Sequence, residues 1–327
     1  MTDVAVIGAG MAGLTVAREL SRFANVKIFE KSRGPGGRMA TRRGGGYTFD
    51  HGAQFFKARS QGFRELASQL QSAGILESWD GRFAEFDQGK LIKRRQWDSS
   101  HPHYVGIPSM NAVGKYLGQE LEIMTATRVL NMQREDNGWL LNDENMACLG
   151  YFDWVIFSVP AEQAAQVVPA EASFSSKLDS LSMQPCYSLM LGFDRELDLS
   201  FDAALVKNAA ISWISVDSSK PGRPCGMSMV VHSANQWAAE NMEKNRDWIM
   251  DVLLSASCKV AGAEVSKADH VALHRWRYAN MPARGPEQFF VDQEWQIAAC
   301  GDWCIQGKVE AAYLSGKAAS AKILSLL

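Results

Sequence analysis

Three glycines near the start of the chain, Gly8, Gly10 and Gly13, have the spacing GxGxxG, and an acid, Glu30, follows after the second apolar run. Together these residues suit the pyrophosphate and ribose of a dinucleotide. Gly8 permits a tight turn, Gly10 lets the backbone approach a pyrophosphate, and Gly13 lets a helix pack closely on a strand. Met11 and Ala12 complete the turn at a helix N-terminus, whose free N–H groups attract an anion. Glu30 can accept both ribose hydroxyls. The same spacing also occurs in tight strand–helix turns that hold no ligand. Here a strand, a helix, a second strand and the acid follow in order, which selects the dinucleotide reading.

The next segment, EKSRGPGGRMATRR, sets Gly36, Gly37 and Arg38 just past the acid. A glycine doublet lets the chain fold over a ligand, and a guanidinium can grip a diphosphate with two parallel hydrogen bonds. A domain that binds only a nicotinamide dinucleotide has no need of such a loop. Lys31 and Met39 flank it and are expected at the same ligand. Beyond it, in YTFDHGAQFF, small residues such as Gly52 and Ala53 suit close backbone approach to a ring, and Gln54, Phe55 and Phe56 are expected beside it. Near the other end, IAACGDWCIQGKVEAAYLSG carries Asp302 where an apolar run stops and before a helix starts around Val309. An acid there implies a polar neighbour.

Asp3 to Gly8 is a buried strand, and the apolar positions Leu14, Val16, Ala17 and Leu20 recur at helical spacing. NVKIFE is a second strand. Ser60 to Gly74 reads as an amphipathic helix ending at a glycine. A hairpin turns at Asp87-Gln88-Gly89, and another at Asn137-Gly138. FDWVIFSVPAEQAAQVV is a buried strand that breaks into a helix and returns to the first sheet. Leu181 to Val231 is mainly β. Ser233 to Ser257 reads as one long helix opened by a capping box, Ser233 with Gln236.

Composition bounds the rest. The chain has 327 residues, 46% of them hydrophobic and 21% charged, with a formal net charge of −2. That is an ordinary globular balance, with no field favouring nucleic acid or an anionic membrane. Its six cysteines form no CxxC pair, so reduced thiols and a cytoplasmic location are expected. No apolar run reaches the ~18 residues of a membrane span, and neither a signal peptide nor an anchor is expected. No HExxH, Ser-His-Asp or Cys-His arrangement stands out, and His101 and His103 in HPH read as loop residues with no metal.

Taken together, GxGxxG, Glu30, the Gly36-Gly37-Arg38 loop and DHGAQFF resemble the amine-oxidase-like flavoproteins. Within that superfamily, GIPSMNAVGKYL, HRWRYANMP and the GDWCIQGKVEAAYLSG stretch resemble the bacterial renalase family. The resemblance implies an α/β fold, with a Rossmann-type FAD-binding domain of the p-hydroxybenzoate-hydroxylase/amine-oxidase kind. A second α+β substrate domain would contain a mainly antiparallel sheet. Expected boundaries are 1–58, 102–168 and 290–327 for FAD, and 59–101 and 169–289 for substrate, with a pocket between the two. It implies non-covalent FAD, with Asp302 against the ribityl or phosphate portion and Val129 on the adenine. Backbone N–H groups of Val309, Glu310 and Ala311 would face the pyrimidine edge, where a helix N-terminus stabilises the charge of reduced flavin. Ala311 stands where relatives are expected to carry glycine.

For the substrate pocket the candidates are Tyr187, Trp213 and His232 on β segments, Trp276, Tyr278 and Asn280 in HRWRYANMP, and Arg95 from KLIKRRQW. Aromatics suit a flat substrate, although each could equally be core, and the basic run could be a solvated hairpin. No side chain is assigned a catalytic role, because flavin N5 carries the chemistry. The renalase resemblance implies hydride transfer from wrongly reduced 2- or 6-dihydro isomers of NAD(P)H, with dioxygen as final acceptor and hydrogen peroxide as product. Amine oxidation is the alternative, and a flavin of purely structural use is a third. Besides the dihydropyridine dinucleotide and dioxygen, no protein partner is implied.

Overall fold

A computed structural model describes every residue except Asn137, Ala283, Arg284 and Pro286. The chain divides into two compact units, one of Met1–Met39, Val113–Met183 and Met281–Leu327, the other of Ala40–Ala112 and Gln184–Asn280.

The first unit is built on a six-stranded sheet. Its order is Phe290–Asp292, Ile297–Ala299, Trp154–Phe157, Asp3–Ile7, Asn25–Phe29, Glu122–Met124. All neighbours are parallel except the first pair. The central strands Asp3–Ile7 and Trp154–Phe157 are apolar almost throughout and buried, as a strand covered on both faces must be. Helices Met11–Leu20 and Val309–Leu324 pack against each other: a Cβ at Gly316 would lie 2.7 Å from the Ala12 carbonyl oxygen. A three-stranded antiparallel sheet, Val129–Glu135, Gly138–Asp143 and Cys148–Phe152, completes the unit. The predicted turn residue Asn137 lies outside the described residues.

The second unit carries a seven-stranded sheet in the order His270–Asn280, Gln184–Phe193, Met227–Ser233, Ile211–Val216, Ala203–Lys207, Arg82–Asp87, Lys90–Gln96. Every pair is antiparallel except Ala203–Lys207 with Arg82–Asp87. The α/β class with a mainly antiparallel second sheet thus matches the sequence reading. Gln88 and Gly89 both take positive φ, 49° and 80°, as a two-residue hairpin turn requires.

Two expectations are corrected. Ser233 does not open a helix. It ends strand Met227–Ser233, and its Oγ accepts the Tyr187 N–H at 2.9 Å. The chain then forms a short helix, Asn235–Glu240, turns, and starts a second, Arg246–Ala261. The side chain of Asn245 caps that helix by accepting the Asp247 N–H at 2.7 Å, which is the stronger local signal.

The units also divide the chain at other points than expected. Residues 40–58 and 102–112 pack with the second unit because Tyr47 and Phe49 share a small core with Met190 and Val230. Residues 169–183 pack with the first, where Ser173 donates its N–H to Asp292 at 2.7 Å and Phe174 lies 5.7 Å from Phe290. Residues 281–289 also belong to the first.

Candidate dinucleotide site and buried polar cluster

Strand Asp3–Ile7 runs into the glycine turn, and the turn runs into helix Met11–Leu20. A Cβ at Gly13 would lie 2.1 Å from the Gly8 oxygen and 2.4 Å from Ser158 Oγ, so only glycine fits. At Gly10 the reverse holds: no atom lies within 4 Å of where a Cβ would stand. Gly10 therefore presents bare backbone to open space. The helix behind it has no side-chain cap, which leaves its first N–H groups for an anion.

Glu30 is buried. One oxygen accepts the Ala9 N–H at 2.8 Å and the other the Ser32 N–H at 2.7 Å. An ionised carboxylate offers about four acceptor positions, so lone pairs remain for a ribose. The Glu30 carbonyl accepts the Thr127 N–H at 3.0 Å, which brings the segment leading to Val129 alongside. Val129 is itself buried. The N–H of Gly36 donates to the Ala9 carbonyl at 2.8 Å and that of Met39 to Gly36 at 3.0 Å. These bonds fold the second glycine loop against the first. Lys31 is exposed and donates to Gln163 at 3.1 Å.

Arg38, expected at the diphosphate, and Asp302, expected at the ribityl or phosphate portion, meet each other. Arg38 Nη1 donates to Oδ2 at 2.9 Å and Nη2 donates to Oδ1, a two-pronged pair across 264 residues. Asp302 is buried, while the guanidinium keeps about a third of its surface open. Asp302 follows Gly301, whose N–H donates to Ser315 Oγ on the last helix at 3.0 Å, and precedes Trp303, whose indole donates to the Val159 carbonyl at 3.0 Å. Helix Val309–Leu324 also begins without a side-chain cap, and Ala311 is buried in its first turn near Val309 and Glu310. Open backbone at Gly10, two uncapped helix starts, a buried acid with spare lone pairs and an oriented guanidinium fit a dinucleotide cofactor.

Cys300 and Cys304 are buried free thiols. Burial pushes Cys300 up to about 12 and raises Cys304 well above the usual thiol range. Both stay protonated and unreactive, and all six cysteines are free. Among the described residues, no group of three or more His, Cys, Asp or Glu side chains is placed to hold a metal ion. No helix among them is long and apolar enough to cross a membrane.

In the second unit, Ala53 and Phe55 are partly buried and Phe56 is buried, bridging to Tyr104. Gln54 is consumed by its neighbours. Its Nε2 donates to the Asp50 and Gly52 carbonyls, and its Oε1 accepts Ser215 Oγ at 2.5 Å and Lys220 Nζ at 3.2 Å. Around it lies a buried charge cluster. Lys220 pairs with Asp217 and stands 3.6 Å from Asp50, and Arg223 pairs with Asp50. Burial pushes Asp50 up, but Lys220 and Arg223 more than offset it and hold the carboxyl below its usual range. For Asp217 burial wins, and the carboxyl is raised.

His232 reaches this cluster, with Nε2 3.4 Å from Gln54 Nε2 and 3.3 Å from the His51 carbonyl. Trp276 donates to the same carbonyl at 2.8 Å and stacks on the His51 ring at 5.1 Å, while His274 meets that ring edge-on at 4.8 Å. Burial holds the imidazoles neutral, bringing His51 down to about 3 and His232 to about 4. Among the other pocket candidates, Tyr187 takes the core alternative, buried with its hydroxyl directed at the Asn241 and Met242 carbonyls. Tyr278 is partly buried, and Asn280 is exposed, donating to Asn235 at 3.4 Å. Arg95 lies over the Phe83 ring at 4.5 Å, and Trp213 joins an aromatic group with Phe55 and Trp97.

The sequence reading missed Asp217, Lys220 and Arg223, and also His51 and His274. A signal for the first three was present: charges spaced by three in SVDSSKPGRP, directly after an apolar strand. Buried charges require partners, and Asp50 ending YTFD was the unpaired counterpart.

A family model described as flavin containing amine oxidoreductase matches residues 98–324, more than half of the chain. A second, described as NAD(P)-binding Rossmann-like domain, matches residues 6–70. A protein named as a flavin-containing monoamine oxidase, AofH of Mycobacterium tuberculosis, is 36% identical over 114 residues, in each of two strains. The match takes in 34% of this chain but only 23% of that relative, so the chain spans about a quarter of its length. Among solved structures, a protein assigned as a protoporphyrinogen oxidase from Exiguobacterium sp. 255-15 superposes with a TM-score of 0.78, at 14% identity and covering 98% of each chain. Putrescine oxidase bound to putrescine superposes with a TM-score of 0.74, at 12% identity and covering 99% of each. At these identities the structural likeness speaks to the fold alone.

Proposed function

This chain belongs to the flavin containing amine oxidoreductase family and its cofactor is FAD, and from that premise we propose that it oxidises wrongly reduced dihydropyridine isomers of NAD(P)H, as bacterial renalases do. FAD, held non-covalently, would supply a two-electron acceptor at N5, with dioxygen as the final acceptor. In sum, a 2- or 6-dihydropyridine, dioxygen and a proton give the aromatic pyridinium dinucleotide and hydrogen peroxide. The hydride leaves the ring carbon with both electrons of its bond, and the ring gains aromaticity, so no protein base has to remove a proton.

One observation carries this choice of substrate. The buried acids and bases around His232 in the second unit are either ion-paired or held neutral. Asp50 and Asp217 are neutralised by Lys220 and Arg223, and His51 and His232 are kept uncharged by burial. A general base works best with a pKa near the operating pH, and these imidazoles lie far below it. Neither of these two buried carboxylates is left over to hold a cationic amine. On the first unit, Arg38, oriented by Asp302, would grip the FAD diphosphate, Glu30 its ribose, and the uncapped last helix its flavin edge.

Amine oxidation is the second reading. The family match and the names of AofH and putrescine oxidase favour it.

Anaerobic mixing of the FAD-loaded protein with separated 2- and 6-dihydro isomers of NADH and NADPH decides between the two. The flavin band should bleach in one-to-one proportion with the isomer, with release of the aromatic dinucleotide. Bleaching by monoamines or putrescine, and none by the isomers, would overturn the proposal in favour of amine oxidation.

A further inference from the structure

Four indole N–H groups in this protein find acceptors. Trp79 donates to Ser219 Oγ at 3.2 Å, Trp139 to the Trp295 carbonyl at 2.8 Å, Trp303 to Val159 at 3.0 Å and Trp276 to His51 at 2.8 Å. One place breaks this pattern. In the second unit Trp97 stacks on His103, with ring centres 3.7 Å apart and planes 6° from parallel. The Trp213 ring lies nearly parallel to Trp97, at 6.3 Å and 15°. Phe55 lies within 5.6 Å of all three. Three nitrogens of this one stack, Trp97 Nε1, His103 Nδ1 and Trp213 Nε1, are buried with no hydrogen-bond partner among the described residues. Each such vacancy costs about 1–3 kcal/mol. Three together call for something the polypeptide itself does not supply.

The charges beside the stack are equally unbalanced. Elsewhere in this unit Arg82 is clasped by Asp202 and Arg223 by Asp50. Lys57 and Arg95 form no ion pair among the described residues, and Arg95 lies on the Phe83 ring at 4.5 Å. Lys57 is lowered first by burial and then by Arg95 and Arg59, and His103 falls to about 4 through burial, Lys57 and Arg95. No carboxylate figures in either balance. Cations beside aromatic faces, with unpaired N–H donors between them, suit a planar ring that carries a phosphate.

We propose that Phe55, Trp97, His103 and Trp213, with Lys57 and Arg95, form a site for a nucleoside phosphate. Lys57 and Arg95 take the phosphate, and the ring nitrogens take acceptors on the ligand or on the water it brings. In choosing a nucleotide ligand, the proposal rests on the dinucleotide reading above.

Its test is titration of the FAD-loaded full chain with AMP, nicotinamide mononucleotide and inorganic pyrophosphate, followed by calorimetry and tryptophan quenching. The two nucleotides identify which half of a dinucleotide the site accepts. Binding by either should weaken about tenfold for each cation removed in K57A and R95A. W97F, which removes one unpaired donor, should weaken it further. Unchanged nucleotide affinity in the K57A/R95A double variant overturns the proposal, whether or not W97F folds. Pyrophosphate binding as tightly as the nucleotides would reduce the site to a charge patch and overturn it too. The outcomes separate from those of the oxidase reading. Nucleotide binding that needs Lys57 and Arg95, without flavin bleaching by dihydropyridines, leaves the site standing and the oxidase fallen. Bleaching with a KM unmoved in the double variant does the reverse.

Discussion

Acidification from pH 8 to pH 5 should destabilise the second unit through His51 and His232. Both imidazoles are buried as the neutral form. Burial is the largest cause of each shift, and for His51 the neighbouring His274 and His232 add to it. The folded values of about 3 and about 4 lie below the ordinary value of 6.5. The unfolded chain therefore binds these protons first, so the stabilisation is complete above pH 6.5 and is lost as pH falls toward the folded values. Each pH unit in that window costs about 1.4 kcal/mol per histidine. By pH 5 that is about 2 kcal/mol for His51 and, since His232 is partly exposed, about 1–2 kcal/mol for His232. Such a loss is a large share of the ~5–15 kcal/mol that holds a domain folded. Urea unfolding at pH 8, 6.5 and 5, read by circular dichroism, measures it. H51Q should begin from a lower stability, having lost its stack on Trp276, but should fall less steeply by about 2 kcal/mol over the same range. If wild type and H51Q decline in parallel, or if NMR finds the His51 ring titrating near 6.5, the burial argument is wrong. The neutral-pocket case for a dihydropyridine substrate then falls with it.

Gly13→Ala should cost about 3 kcal/mol or more, because its methyl would stand 2.1 Å from a backbone oxygen that cannot step aside. Thermal melts and FAD retention on gel filtration would show it, and a variant that melts like wild type would refute the close approach. Asp302→Ala removes the two-pronged pair that orients the guanidinium of Arg38, and FAD should bind about tenfold more weakly, equivalent to ~1.4 kcal/mol. Asp302→Asn keeps one acceptor and should recover part of that affinity. A fluorescence titration of the FAD-stripped protein giving equal affinities for all three would mean that this pair does not face the diphosphate.

Features set by contacts a few residues apart are legible in the chain. The glycine spacing, Glu30 and the apolar run of Asp3–Ile7 specify strand, turn and helix through contacts a few residues apart, and the structure builds them there. The turn at Gln88-Gly89 was legible for the same reason, since glycine takes positive φ without strain. Reading failed where two local signals competed. Ser233 looks like a cap, but strand pairing claims it for Met227–Ser233, and the true cap, Asn245, stands twelve residues on.

That this chain offers a glycine-turn backbone and an acid to a dinucleotide follows from residue order alone, because those demands are met within one βαβ unit. That Arg38 clasps Asp302 and that Asp50 is neutralised by Lys220 and Arg223 became legible only in the folded chain. Each of these joins residues far apart in the chain, brought together only by the folding of their unit. A buried charge or ring nitrogen obliges the fold to supply a partner, but nothing in its neighbouring residues says which distant strand will bring it.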